Sequence, residues 1–394
     1  MAGPLAGIQV LDFGRYIAGP YCAALLAELG ADVIRIDKRG GSEDRFVGPV
    51  SETGEGALFL QMNRNKRSLT LDPTSPEGRE IVRRLVERAD VVVANLPAAT
   101  LVSMGIDHAS LAAINPRIIL TTSSAYGPSG PMAGYVGFDG VGQAMSGSVF
   151  MTGKPGEPYR AAVNWVDFGT ALHCAFGTMG ALMAREQTGR GQQVTGSLLG
   201  TALATTNSML IEQATIRADR RPTGNLGQTA APLNIYPTRD GHVLVQVVGH
   251  PLFRRWAKLV GQEWMLEDPR FADDDARGRN SGPIDDAMRQ WCARRDTDEI
   301  VRILGEAKIP SGPVLSAQQA LDHPQTAALG LLHPTGFPGL QRPAPVAAVP
   351  VQLSDADTGI RSREPILGEH TDEILAAIGY GAADIARLRE TGAV

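Results

Sequence analysis

The apolar positions at the start of the chain fall into short, nearly unbroken runs, separated by segments in which they recur every three or four residues. Residues 8–13, 31–37, 67–72, 90–95 and 117–122 read as buried strands. Residues 21–30, with Ala23, Leu25, Leu26 and Leu29 on one side, read as a helix, and so does the stretch carrying Ile81, Val82, Leu85 and Val86. Ser75 supplies an N-cap for that second helix and Pro76 its first position, while Asp107 caps a further short helix. Strands buried on both faces and joined by helical crossovers run parallel with right-handed connections. The pattern therefore predicts a doubly wound α/β domain whose ligand edge lies where the strands end.

Beyond residue 122 the pattern changes. Residues 122–147 are rich in Gly, Ser and Pro and contain Tyr135-Val-Gly-Phe-Asp139, and long loops of this kind usually carry function. Asp167 then ends a short apolar run and opens a segment of small residues (Gly169, Ala171, Ala175, Gly177, Gly180, Ala181) interleaved with Leu172, Phe176, Met179 and Met183. That spacing predicts a helix packed very closely against a neighbour. A carboxylate at its start faces unpaired backbone N–H groups and the positive end of the helix dipole, which would keep it ionised and fixed in direction. Two readings of Asp167 stand at this point, an N-cap and a catalytic group. Residues 194–217 look helical, and residues 221–231 form a glycine-containing loop, either a lid or a linker. Asp240-Gly241 between residues 233–237 and 242–248 signals a hairpin. Helices follow at about 251–261, 284–294 and 298–307, the last capped by Thr297, and these elements make a second, mixed α+β domain. Residues 311–314 and 337–350 read as connectors. Thr371 caps a helix over 372–378, and another closes the chain at 382–389.

A chain of 394 residues exceeds what one hydrophobic core usually serves, which agrees with two domains. Hydrophobic residues at 43% and charged residues at 20% are ordinary for a soluble protein, and no apolar run is long enough to span a bilayer. The first thirteen residues lack a basic segment and are not read as a secretory signal, so the expected compartment is the cytoplasm. A net charge of -5 argues against a nucleic-acid partner. Cys22, Cys174 and Cys292 are too scattered for a disulfide framework, and neither they nor the seven histidines form a metal set. Gly14 and Gly19 are wrongly spaced for a dinucleotide fingerprint and Pro20 stands where the helix begins, which argues against a nicotinamide dehydrogenase. No G-x-S-x-G elbow or Walker loop occurs. Acyl chemistry in this chain would need a carboxylate nucleophile. Lys38, Arg39, Arg64, Lys66, Arg67 and Asn95 collect near strand ends, as anion-binding groups or as solvated surface charge.

Pro4-Leu-Ala-Gly-Ile-Gln-Val-Leu-Asp-Phe13, Ala18-Gly-Pro-Tyr-Cys22, Leu29-Gly-Ala-Asp-Val-Ile-Arg-Ile36, Asn65-Lys-Arg-Ser68, Thr188-Gly-Arg-Gly-Gln192 and Leu367-Gly-Glu-His-Thr371 run in order along almost the whole chain. Together they resemble the signatures of the class III CoA-transferases, a family that shares its fold with the α-methylacyl-CoA racemases. The resemblance implies a large Rossmann-like domain over residues 1–200, completed by 330–394, a small α+β domain over 225–325, and two chains interlocked as a homodimer. It implies no permanently bound cofactor, with coenzyme A and acyl-CoA as substrates beside a free carboxylic acid. Asp167 falls at the family's catalytic aspartate, which forms an anhydride with the acyl group and then an aspartyl-CoA thioester. Positions matching the family's CoA contacts are Ile17, Ala18, Lys38, Leu71, Asp72, Pro73, Thr74, Asn95, Leu96, Pro97, Tyr135, Val136, Gly137 and Phe138, several acting through backbone groups.

The sequence also departs from the family pattern. Ile17 replaces a glutamine of the formyl-CoA enzymes, which argues against oxalate or formate as substrate. Ser103 stands where an arginine often helps hold CoA, and Thr195-Gly-Ser197 replaces an aspartate-containing sequence. The racemases exchange a proton through a histidine in a Gly-His-Asp context, and here the context is Gly137-Phe138-Asp139. Phenylalanine carries no proton, so transfer is favoured over racemisation. A CoA-binding protein without turnover, with Asp167 only a cap, is the third reading.

Overall fold

The computed structural model describes residues 3–394; Met1 and Ala2 of the N-terminal segment read above lie outside the described residues. The chain divides into two compact units, one of Met1–Gly147, Ala161–Ile216 and Ala327–Val394, the other of Ser148–Arg160 and Arg217–Thr326. Among the described residues no helix is long and apolar enough to cross a membrane.

The first unit is built on six parallel strands: β1 (Gln9–Asp12), β2 (Asp32–Asp37), β3 (Lys66–Thr70), β4 (Val91–Ala94), β5 (Ile119–Ser124) and β6 (Gln193–Ser197). Their order across the sheet is β3-β2-β1-β4-β5-β6, so the direction of winding reverses between β1 and β4. Side chains alternate across each strand, and the sheet is therefore buried on both faces. Val10, Val33, Val91 and Ile119 pack against α1 (Ala18–Glu28) and against a long helix at Trp165–Thr188. On the opposite face Leu11, Ile34, Val92 and Leu120 meet Ile81 and Leu85 of the helix Pro76–Val86, together with Ile374 and Leu388 from the C-terminal helices. Truncating one of these fully buried aliphatics to Ala costs about 2–5 kcal/mol.

Several local expectations are overturned. Residues 194–217 are not one helix: β6 comes first, paired with β5 at Thr121–Val194 and Thr122–Thr195. The β-branched Val194 and Thr195 carry no helical stripe and suit a sheet edge. Ser197 then caps the next helix by accepting the Gly200 N–H. Residues 311–314 and 337–350 are not plain connectors, because Ser311–Pro313 is a strand and Ala344–Ala347 pairs with Leu332–Thr335. Thr297 and Thr371 are the first residues of their helices rather than caps. The Thr297 hydroxyl is tied instead to Thr238 and Asp240, and that of Thr371 to Thr70.

The second unit holds a three-stranded antiparallel sheet in which Leu233–Pro237 and Ser311–Pro313 flank His242–Gln246. Tyr236, Val243, Val245, Phe253, Trp256, Met288 and Ile300 form its own core.

Candidate active site

The loop after β1 is held from two sides. Asn95, just past β4, accepts the Arg15 N–H at 2.7 Å and donates to the Arg15 carbonyl at 2.8 Å. This pins the loop across the point where the sheet reverses, the place at which ligands enter such sheets. Gly19 permits the approach: a Cβ there would stand 2.9 Å from Gly14 Cα and 3.0 Å from Asn95 Oδ1. Tyr16, between these anchors, has a φ of 62°, in the left-handed region that non-glycine residues seldom occupy.

Beneath the loop lies a buried ionic network. Lys66 Nζ lies 2.7 Å from Asp12 and also reaches the Pro20 carbonyl and Asn63. Arg35 binds Asp37 and Asp44, Arg45 binds Asp37, and Asp44 accepts the Tyr16 N–H. Burial pushes the Asp12 carboxyl upward, but the Lys66 and Arg35 charges outweigh it and leave it below its ordinary value. Asp37 behaves the same way, with burial opposed by Arg35 and Arg45. Arg64 and Lys66 are thus internal counter-ions, Arg64 pairing with the buried Glu28. Arg67 is bound to Asp32 and Glu373. These three were grouped with the strand-end cations; their side chains are already committed.

Two helices frame Asp167. The loop after β5 contains α2 (Asp139–Met145), and α3 (Trp165–Thr188) begins two residues before Asp167. The small residues of α3 meet close neighbours: a Cβ on Gly169 would stand 2.9 Å from Thr201, on α4 (Leu198–Thr205), and one on Gly177 would stand 2.8 Å from Val194 of β6. Asp167 is not the cap of its helix. Asn164 occupies the N-cap position without a side-chain bond. Asp139 Oδ2 instead accepts the N–H groups of Val166 at 2.8 Å and Asp167 at 3.1 Å. Gln143, fully buried on the next turn of α2, donates to Asp139 Oδ1 and accepts the Ala161 N–H.

Asp167 is itself 8% exposed, and among the described residues only burial and the Asp139 charge, with no hydrogen bond, act on its carboxylate. The expectation that the helix start keeps it readily ionised is therefore corrected. Burial, followed by the nearby Asp139 charge, raises it from an ordinary 3.8 to about 7.

The other expected positions are distributed along the carboxyl ends of the strands. Ile17 and Ala18 open α1 and are buried. Lys38 follows β2, exposed and paired with Glu43. Leu71, Asp72, Pro73 and Thr74 follow β3: Leu71 is in the core, and Asp72 accepts both the N–H and the hydroxyl of Thr74. Asn95, Leu96 and Pro97 follow β4, where Asn95 spends its side chain on the loop and Pro97 opens the helix Ala98–Met104. Tyr135, Val136 and Phe138 are exposed apolar side chains in the loop before α2, and Gly137 sits against Ala125 and Val141. Phe138 lies edge-on to Tyr16 at 5.4 Å, joining this loop to the one after β1. The helix-start role of Asp139 and the part of Gln143 escaped the sequence reading. Their only local sign is an Asp and a Gln four residues apart.

Comparison with known proteins assigns the class of this arrangement. Residues 5–371 match the model of CoA-transferase family III, and the chain belongs to that family. A succinyl-CoA–D-citramalate CoA-transferase of Chloroflexus aurantiacus is 33% identical over 98% of this chain and 97% of its own length. A formyl-CoA:oxalate CoA-transferase of Rhodopseudomonas palustris is 32% identical over 100% of this chain and 98% of its own. A solved CAIB/BAIF family protein from Brucella suis superposes with a TM-score of 0.83 at 32% identity, covering 96% of this chain and 100% of that one. The protein is an enzyme, a family III CoA-transferase, and CoA thioesters are its substrates.

Proposed function

We propose that the enzyme moves CoA from an acyl-CoA donor to a free carboxylic acid with Asp167 as the covalent nucleophile. The observation that carries this reading is a buried carboxylate without a hydrogen-bond donor, beside the ligand edge of a doubly wound sheet. Asp167 Oδ attacks the thioester carbonyl; the new C–O bond forms as C–S breaks, and the CoA thiolate leaves with the electron pair. The thiolate attacks the Asp167 carbonyl of the anhydride, releasing the donor acid as carboxylate and leaving an aspartyl-CoA thioester. The incoming carboxylate displaces CoA to form a second anhydride, and the thiolate takes its acyl group, which frees Asp167. No proton is gained or lost over the cycle, and a held geometry divides one hard transfer into easier ones.

CoA is proposed to lie along Ile17, Ala18, Lys38, Leu71–Thr74, Asn95–Pro97 and Tyr135–Phe138, with Lys38 as a point charge for a phosphate. Arg79 supports this path, since its guanidinium donates to the Ser103 carbonyl at 2.9 Å and so brings a cation to a position that lacks one in sequence. Phe138 against Tyr16 offers an apolar wall and no proton carrier, which disfavours a racemase. The functional form is proposed to be an interlocked homodimer. Leu172, Phe176 and Met183 expose 51%, 74% and 73% of themselves in one stripe on α3, as a face awaiting a partner would.

A panel of acyl-CoA donors incubated with mixed carboxylic acids, read by mass spectrometry for new thioesters, tests the transfer. Trapping with hydroxylamine or borohydride tests the nucleophile: label on a carboxylate other than Asp167 refutes it. Exchange of α-deuterium in the absence of an acceptor acid would turn the assignment toward racemisation. Activity at a monomeric mass by light scattering would remove the dimer.

A further inference from the structure

Gln143, Asp139 and the first turn of α3 form a closed set of contacts that the transfer steps above do not use. Asp139 Oδ2 takes two amide hydrogens and Oδ1 takes the Gln143 amide, so every contact is one in which the aspartate accepts, as a carboxylate does. Gln143 also donates to the Val163 carbonyl at 3.4 Å, and with the Ala161 N–H it grips the segment leading into α3. The α2 backbone can come this near because residue 142 is glycine: a Cβ there would stand 2.8 Å from Val166 Cγ1 and 3.2 Å from the Leu198 carbonyl. Free amides at a helix start bind the nearest anion. Asp167 is the acidic residue of that same first turn.

We propose that Asp139, clamped by Gln143, is a positioning residue that keeps the helix-start amides off the Asp167 carboxylate by occupying them itself. The inference rests on Asp167 being the nucleophile. A carboxylate bound by two amides is a poorer nucleophile than a bare one, because those bonds favour the charge that attack must disperse. Other groups around Asp167 do not supply this control. Neither α4, β5 nor β6 carries a titratable side chain. On α1, Tyr21 stacks edge-on against Phe168 with Arg64 over its ring, while Cys22 and Glu28 lie further along. On α3 itself His173 is bonded to Thr201. Asp139 is the anion that acts on Asp167.

The test is the pH profile of kcat/KM for Asp139→Ala, which empties the amides, beside Asp139→Asn, which removes the charge and keeps a cap, with a thermal melt to establish folding and borohydride trapping to locate the acyl group. The wild-type profile is expected to rise through about pH 7 as Asp167 loses its proton. In both variants the lost Asp139 charge moves the limb to lower pH; in Asp139→Ala the freed amides also turn to Asp167 and the plateau above the limb falls about tenfold or more, whereas Asp139→Asn keeps most of it. Adding Gln143→Glu to Asp139→Asn returns a carboxylate to the clamp, with the introduced amide now donating to it. That double variant keeps the plateau and moves the limb back up. A plateau lowered without movement of the limb, or a profile equal to wild type, overturns the inference while trapping still marks Asp167. Trapping elsewhere in the wild-type protein refutes the nucleophile instead. If neither single variant folds, the double variant decides: a plateau near that of wild type is expected, and one lowered about tenfold or more although the introduced amide still caps the helix start counts against the proposal.

Discussion

The first unit buries two sets of aspartates, and they are treated in opposite ways. Asp12, Asp37 and Asp44 lie under the loop after β1 with Lys66, Arg35 and Arg45 in contact, and the first two are held below their ordinary range. Asp139 accepts the Asp167 N–H at the start of α3, among the described residues no cation pairs with either carboxylate, and Asp167 is raised to about 7. Burial works in the same direction in both places. What differs is the sign of the neighbour, and this separates carboxylates that brace a loop from one left ready for chemistry.

Removing the bare carboxylate should have the largest consequence. Asp167→Asn keeps the shape but cannot form an anhydride, so turnover should fall by several orders of magnitude, on the scale seen when a nucleophile is deleted. Retention of more than about a tenth of wild-type turnover, under ~1.4 kcal/mol in transition-state stabilisation, would end the contrast drawn above.

Breaking the braced set should cost stability instead. Lys66→Met leaves Asp12 buried without its cation, and uncompensated buried charges of this kind cost about 3–5 kcal/mol. Replacing both partners, Asp12→Leu with Lys66→Met, should cost far less. A denaturant series giving equal losses for the single and double variants would show that the pair contributes packing rather than charge.

The bare set makes the reverse prediction. A carboxyl whose folded value lies above its unfolded one contributes stability that is complete below about pH 4 and is lost as pH rises through about 7. The gap between 3.8 and about 7 corresponds to roughly 4 kcal/mol at 1.36 kcal/mol per pH unit, an upper bound for a group with some solvent access. Asp167→Asn should therefore be more stable than wild type at pH 8 and match it near pH 4, a trade of stability for activity. Equal melting temperatures at pH 8 would place Asp167 in a far more solvated setting.

The sheet was legible because β1, β2, β4 and the start of β5 are apolar runs and the β3 stretch shows the alternation of Leu69 and Leu71, signals that need only local information. β6 was hidden: Gln193-Val-Thr-Gly-Ser is too short and too polar to announce itself before a helical stretch, and only pairing with β5 makes it a strand. Asp167 was legible as a position, through the small-residue pattern of α3. Its surroundings were not, since the cap comes from 28 residues upstream at Asp139 and only the fold brings them together. Arg64 and Lys66 misled for the same reason, because their sequence neighbours give no sign of Glu28 and Asp12.

Lys38 provides the mildest test, because it is the exposed counterpart of the braced cations. Its ammonium is paired with Glu43, with 57% and 65% of the two side chains open to solvent. An exposed pair of this kind contributes little to folding, so Lys38→Ala should leave the melting temperature nearly unchanged. The same openness suits a ligand phosphate, which can displace the Glu43 carboxylate at small cost. CoA affinity should then weaken by about 1 kcal/mol, close to fivefold, and the loss should shrink as salt screens the contact. Glu43→Gln should act in the opposite direction, because it frees the ammonium and removes a negative charge from the phosphate's path. Calorimetry that finds the same affinity and the same salt dependence in wild type and both variants would move the phosphate away from the end of β2, leaving Arg79 beside Ser103 as the cation to test next.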